Sequence, residues 1–168
     1  MVSMQIIIYD PALSLFVLAI FACDRTSFFS GIRHMKGLHI IGDLHHCAAS
    51  EFLISAKALR ALCVAACRDA GLTVLGEHFY QFKGFDATQI GGATGAVILA
   101  ESHLAIHTWP ERNQATLDVY VCNVTIDNSA KAEQLFLRMA GALRPADSVV
   151  ERVWRGKELP ASIAAIAA

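Results

Sequence analysis

Glu101-Ser102-His103-Leu104-Ala105-Ile106-His107-Thr108-Trp109-Pro110, with Glu111 directly after, stands at the polar end of the apolar run Ala96 to Ala100. A strand that leaves a core ordinarily hands over to a solvated turn. This one hands over to a carboxyl, a hydroxyl and two imidazoles, with an indole close behind, so the segment reads as chemistry mounted on the end of a buried strand.

The sequence on either side supplies the rest of the fold. Downstream, Ala115 to Cys122 alternates, with Leu117, Val119 and Val121 on one face and Thr116, Asp118, Tyr120 and Cys122 on the other. Asp127 or Asn128 can cap a helix whose apolar stripe is Ala132, Leu135, Phe136, Met139 and Leu143, and Pro145 stops it. A last strand is expected near Ser148 to Trp154. Upstream, Lys83 to Gly95, with Gly84, Gly91, Gly92 and Gly95, reads as a loop, and Thr73 to Phe82 as a strand. Ser50 precedes a helical series of Phe52, Leu53, Ala56, Leu59, Leu62, Cys63 and Ala66, closed by Gly71. Leu38 to Leu44 begins the β-rich part. The order is strand, helix, three strands, helix, strand. That pattern predicts an α/β fold, a two-layer α/β sandwich with a mainly antiparallel sheet and two helices on one face.

The chain has 168 residues, enough for one domain with a real core. Lys and Arg total 14 against 15 Asp and Glu, a formal net charge of -1 with no basic stripe, so nothing in the electrostatics invites nucleic acid. The apolar share is 55%, high for a soluble domain, and an oligomer interface would absorb part of it. Five cysteines, an odd number without paired metal spacing, predict reduced thiols in a cytoplasmic protein rather than a disulfide scaffold. The apolar stretch Pro11 to Cys23 is shorter than the roughly 20 residues a membrane span needs. Met1 to Asp10 lacks the cationic start of a secretory signal. Residues 1–34 therefore read as an upstream start or a dispensable extension, residues 35–168 as the working domain, and the Ala-rich end Ala161 to Ala168 as a fraying tail.

Ser102 admits more than one reading. As a hydrolase nucleophile paired with His103 or His107 it lacks the glycine-flanked turn that presents such serines. Alternatively its hydroxyl attacks the Glu101 carbonyl to form an ester, and loss of the Ser102 α-proton then splits the chain. That route needs a base and a deformable backbone. His107 lies five residues on, within reach if the strand bends, and Gly91, Gly92 and Gly95 let backbone groups approach one another. His103 would face away from its neighbour in a strand. His39, His45, His46 and Cys47 suggest a metal cluster, but adjacent His45 and His46 would point to opposite faces, and no metal site is expected.

The segment Glu101 to Glu111, with Gly91 to Gly95 before it and Cys122 after it, resembles the S-adenosylmethionine decarboxylase proenzymes in their short bacterial form. The resemblance covers about Met35 to Trp154. It implies self-cleavage between Glu101 and Ser102 into a β chain ending at 101 and an α chain beginning at 102, with Ser102 converted to a pyruvoyl cofactor that forms a Schiff base with the substrate amine. It further implies that Thr94 and His107 assist processing, and that Cys122 returns a proton to the substrate. Trp109 and Phe82 would stack on the adenine and sulfonium of S-adenosylmethionine, and Glu111 would accept from the ribose hydroxyls. A homodimer of processed protomers is implied as well. Ala105, Arg112-Asn113-Gln114 and Asn123 depart from the common family pattern without removing a reacting group. Two alternatives stay open: a pyruvoyl-dependent arginine or ornithine decarboxylase on the same scaffold, and an uncleaved, non-catalytic partner subunit.

Overall fold

The computed structural model describes residues 36–84, 88, 90–124 and 126–157. The extension at residues 1–34, its apolar stretch from Pro11 to Cys23 and the tail from Ala161 to Ala168 lie outside the described residues.

Six strands form one sheet in the order β2-β3-β4-β5-β1-β6. They are β1 (Gly37–His45), β2 (Val74–Lys83), β3 (Ile90–Leu99), β4 (Ser102–Trp109), β5 (Gln114–Cys122) and β6 (Asp147–Arg155). Every adjacent pair is antiparallel. Three helices join them: α1 (Glu51–Ile54), α2 (Ala56–Asp69) and α3 (Ser129–Leu143). Helix α2 packs on β2 and β3 and α3 on β1 and β5, so one sheet face is covered and the expected two-layer α/β sandwich forms. The core lies between the layers, where Leu59, Cys63, Leu135 and Met139 meet Ile40, Val97, Leu104, Leu117 and Val119, all fully enclosed. Each large aliphatic side chain buried there contributes about 1.5–3 kcal/mol.

Three expectations need correction. The helix expected to run on from Ser50 is two helices, because Ser55 is extended at φ -129° and ψ 109° and its hydroxyl accepts from Ala58 N at 3.2 Å. A serine in mid-pattern competes with the helix by capping a new one. The glycine-rich segment expected as a loop is instead the first half of β3. A Cβ on Gly92 would stand 1.9 Å from the Thr108 carbonyl oxygen, and one on Gly95 2.1 Å from the Phe79 ring, so these glycines let neighbouring backbone and side chains close in. The third correction is an extra strand. Ser102 to Trp109 is not the polar end of the preceding strand but a strand of its own, with Leu104, Ile106 and Thr108 buried and His103, Ala105, His107 and Trp109 turned outward.

Candidate active site

The β3–β4 connection is two residues long, and both are held in place. Ala100 N donates to Thr73 O at 2.9 Å, while the Glu101 carboxylate accepts from Thr73 N at 3.1 Å and from Thr73 Oγ1 at 3.2 Å. From the opposite side, Cys122 N donates to the Glu101 carbonyl oxygen at 2.9 Å. The Glu101–Ser102 peptide is thus clamped between the start of β2 and the end of β5. Ser102 itself has φ +146°, a torsion that side-chain-bearing residues rarely adopt. Such strain costs on the order of 1–3 kcal/mol and persists only where the surroundings enforce it.

The arrangement has a clear chemical capacity. A hydroxyl, a carbonyl polarised by a fixed N–H and a strained torsion about the nitrogen between them favour transfer of an acyl group from that nitrogen to the hydroxyl. Cys122 is half-buried and free, on the outer sheet face with Asp118 and Tyr120. Its carbonyl accepts from Asn128 Nδ2 at 3.0 Å, which ties the end of β5 to the start of α3. The other cysteines differ in kind. Burial pushes the Cys67 thiol up to about 12, with repulsion from the Glu101 carboxylate adding to it, and burial raises Cys63 further still. Both are neutral core groups.

The other end of β4 carries a second constellation. The His107 ring stacks on Trp109 with centroids 4.1 Å apart and lies 5.2 Å from Phe82, which in turn meets Tyr80 at 5.1 Å. Beside this stack is a cavity of about 380 Å³ lined by Phe82, Lys83, His107, Trp109, Glu111 and Arg112. Thr94 is directly opposite His107 in the β3–β4 register, and its hydroxyl donates to Ile106 O at 3.3 Å. The structure therefore gathers Phe82, Thr94, His107, Trp109 and Glu111 at one end, and Glu101, Ser102 and Cys122 at the other. His107 does not fold back toward Ser102: it pairs with Thr94 on one side and Thr116 on the other, and a strand held on both edges cannot bend. Five residues of strand separate the two groups by about 16 Å.

His103 is the converse case. Expected to face away, it places Nδ1 3.3 Å from Ser102 Oγ, because the unusual torsion at Ser102 brings the hydroxyl round. Its Nε2 lies 3.3 Å from Asp118 Oδ1, which His39 Nε2 also meets at 2.8 Å. Sequence reasoning weighed His39 only as part of a metal cluster with His45, His46 and Cys47, and did not single out Asp118 as a site residue. The usable signal was that Asp118 falls on an outward position of β5, beside β4, and His39 on an outward position of β1, the next strand over.

The family profile described as S-adenosylmethionine decarboxylase matches residues 38–156, from the first residues of β1 to the residue after β6. The chain belongs to the S-adenosylmethionine decarboxylase family. The S-adenosylmethionine decarboxylase proenzyme of Aquifex aeolicus (strain VF5) is 46% identical over 86 residues, 51% of this chain and 58% of that protein. The protein of the same name from Persephonella marina is 37% identical over 116 residues, 69% of this chain and 81% of that one. The crystal structure of the adenosylmethionine decarboxylase from Aquifex aeolicus VF5 superposes with a TM-score of 0.63 at 34% identity, covering 76% of this chain and 96% of that one.

Of the positions read from the resemblance as departures, two have a local structural role. Asn113 takes the left-handed conformation at φ 51° and ψ 47° that a glycine turn would supply, which asparagine tolerates well. Asn123 organises the approach to α3: its Oδ1 accepts from Asn128 N at 2.8 Å, and its Nδ2 donates to Asp127 Oδ1 at 3.1 Å. Ala105 faces outward between Ala96 and Asp118, and nothing in the structure explains why alanine stands there.

Proposed function

We propose that this chain is a self-processing, pyruvoyl-dependent, cytoplasmic decarboxylase. It removes carbon dioxide from S-adenosylmethionine and yields the decarboxylated aminopropyl donor used in spermidine synthesis. The observation that carries the reading is the Glu101–Ser102 peptide, clamped at its carbonyl by Cys122 N and strained at Ser102 φ. Ser102 Oγ bonds to the Glu101 carbonyl carbon as the C–N bond breaks, which leaves an ester and a free amine at residue 102. Loss of the Ser102 α-proton expels the Glu101 carboxylate and separates residues 1–101 from 102–168. Hydrolytic loss of ammonia from the new terminus leaves a pyruvoyl group.

A pyruvoyl ketone at position 102 supplies the electron-accepting carbonyl that loss of carbon dioxide from an α-amino acid requires. Cys122 Sγ returns a proton to the substrate α-carbon. Trp109 and Phe82 stack on the adenine and face the sulfonium cation, and Glu111 accepts from the ribose hydroxyls. Thr94 and His107 serve the processing reaction.

These roles need a second copy of the chain. Within one protomer the Ser102 end and the Phe82–His107–Trp109 stack are too far apart to share one substrate. Among the described residues the outer sheet face carries no helix, and it exposes Ile41, Ile98, Val149 and Val153 by 40 to 59%. Twofold pairing of two such faces covers the apolar residues and sets each Ser102 over the partner's stack.

A denaturing gel and intact mass spectrometry test the cleavage: two chains divided at Glu101–Ser102 are expected, and Ser102→Ala stays whole. An active protein with one intact polypeptide and an ordinary serine would overturn the reading. Release of labelled carbon dioxide, compared among S-adenosylmethionine, arginine and ornithine, tests the substrate. Faster turnover of either plain amino acid would keep the chemistry and replace the substrate.

A further inference from the structure

Three titratable side chains on three strands of the outer face, His103, Asp118 and His39, line up in a chain of contacts that begins at Ser102. Tyr120 of β5 has His39 of β1 opposite it on one side and His103 of β4 on the other. Asp118, two residues earlier on β5, is diagonal to both imidazoles and within reach of each. The result is a chain of contacts: Ser102 Oγ to His103 Nδ1 at 3.3 Å, His103 Nε2 to Asp118 Oδ1 at 3.3 Å, and His39 Nε2 to the same oxygen at 2.8 Å. The Tyr120 ring lies against both imidazoles, with centroids 5.5 Å from His39 and 5.9 Å from His103, and Arg155 sits over its far face at 4.3 Å.

We infer that His103 is the base that takes the Ser102 hydroxyl proton in the first step of chain cleavage, with Asp118 and His39 as positioning residues. The hydrogen-bonding inventory fixes the direction of each bond. An ionised carboxylate only accepts, so His39 Nε2 donates to Asp118 Oδ1, while His103 Nε2 stands 3.3 Å from the same oxygen as a close electrostatic contact that favours a proton on that nitrogen. A neutral His103 that carries its proton on Nε2 presents a bare lone pair on Nδ1, and the group facing that lone pair is the Ser102 hydroxyl. The proton on His39 Nε2 holds Asp118 from its other side, so the carboxylate cannot swing away from His103. Nucleophile, base and orienting acid stand in the order that activates a serine for acyl transfer.

The step balances without a co-reactant. As Ser102 Oγ bonds to the Glu101 carbonyl carbon, its proton passes to His103 Nδ1. As the C–N bond breaks, the same proton passes to the departing nitrogen. His103 ends as it began, and the peptide has become an ester. Cys122 N faces the carbonyl oxygen on which charge develops in between.

The same three side chains, with ligand atoms within 4.8 Å of one another, suggest a divalent metal as an alternative. Ligand atoms about a tetrahedral zinc stand roughly 3.3 Å apart, whereas His39 and Asp118 are at a hydrogen-bond separation of 2.8 Å. Hydrogen bonding accounts for the His39–Asp118 pair better, while the 3.3 Å between His103 and Asp118 fits either arrangement, and the chelator experiment below separates the two.

The inference rests on self-cleavage at Glu101–Ser102 and is tested on the full chain. Cleavage would be followed by denaturing gel after rapid purification of wild type, His103→Ala, Asp118→Asn and Ser102→Ala. His103→Ala is expected to cleave at least about 100-fold more slowly, the usual share of a general base. Added imidazole should restore part of the rate to His103→Ala and none to Ser102→Ala. Hydroxylamine, which cuts esters but not peptides, should release no fragment from His103→Ala, because the block precedes the ester. Asp118→Asn should slow cleavage less and respond less to imidazole. Three results would overturn the inference: wild-type cleavage by His103→Ala, hydroxylamine release from it, or arrest of wild type by a chelator with recovery on adding zinc. If wild type itself fails to cleave, the reading beneath it fails, an outcome separable from normal wild-type cleavage with an indifferent His103→Ala.

Discussion

Gly92 has no room for a Cβ, because the Thr108 carbonyl lies where one would stand and the atom in the way is backbone. Gly92→Ala is accordingly expected to cost about 3 kcal/mol or more, read as a lowered urea midpoint, since neither strand can yield without breaking the β3–β4 ladder. Next to it, Thr108 is buried while using its hydroxyl twice: it accepts from Ala93 N at 2.8 Å and donates to Leu53 O at 2.8 Å. The thiols give a second residue-level expectation. Iodoacetamide at pH 8 should label Cys122 in the native protein and spare Cys63 and Cys67, which are enclosed and held protonated by burial. Peptide-resolved mass spectrometry before and after unfolding checks this. Prompt labelling of Cys67 would show that the α2–sheet contact opens readily. Glu101 and Ser102 were legible as cleavage candidates because both lie in one dense local motif, whereas Cys122 was reached through the family resemblance and its place on the polar face of β5. His103 was misjudged, since strict alternation along a strand does not anticipate a torsion of +146° at the preceding residue.

At the scale of elements, the two long helices were legible because each buries one stripe. Ala132, Leu135, Phe136, Met139 and Leu143 recur at helical spacing, and all are buried in α3. The contact of that stripe with β1 is tight: a Cβ on Gly42 would come within 2.6 Å of the Phe136 ring. Gly42→Ala should therefore destabilise by about 1–3 kcal/mol, and trimming the ring with Phe136→Leu in the same chain should recover part of that loss. Thermal unfolding of the two single variants and the double variant checks the coupling, and strict additivity would show that the ring has space to move. Strand β3 was illegible for a physical reason. Glycines at positions 91, 92 and 95 signal a loop to any local rule, and they belong in a strand only because Lys83, Thr108 and Phe79 press against them from neighbouring strands.

At the scale of the molecule, a sheet face that carries no helix among the described residues and the proposed division of the site between the two ends of β4 make the same prediction, a second copy. Light scattering should give a dimer of processed protomers, and a monomer with full activity would contradict it. A mixed dimer is the sharper measurement. When Ser102→Ala and His107→Ala chains are co-expressed, the His107→Ala chain should be cleaved, because its Ser102 meets the His107 of the partner subunit. Either variant alone should stay largely uncleaved. If mixing rescues nothing, the two residues act within one chain. Among the described residues no helix is long and apolar enough to cross a membrane. The sequence alone determined the two-layer sandwich, its helices and the candidate cleavage motif, because these depend on periodicity and on neighbours a few residues apart. Only the tertiary structure decided the rest: a fourth strand where a strand end was expected, helix α1 split from α2, and His39, His103 and Asp118 drawn together around Ser102. Those depend on strand register, which brings His39 to Asp118 across 79 positions of chain and which no local pattern encodes.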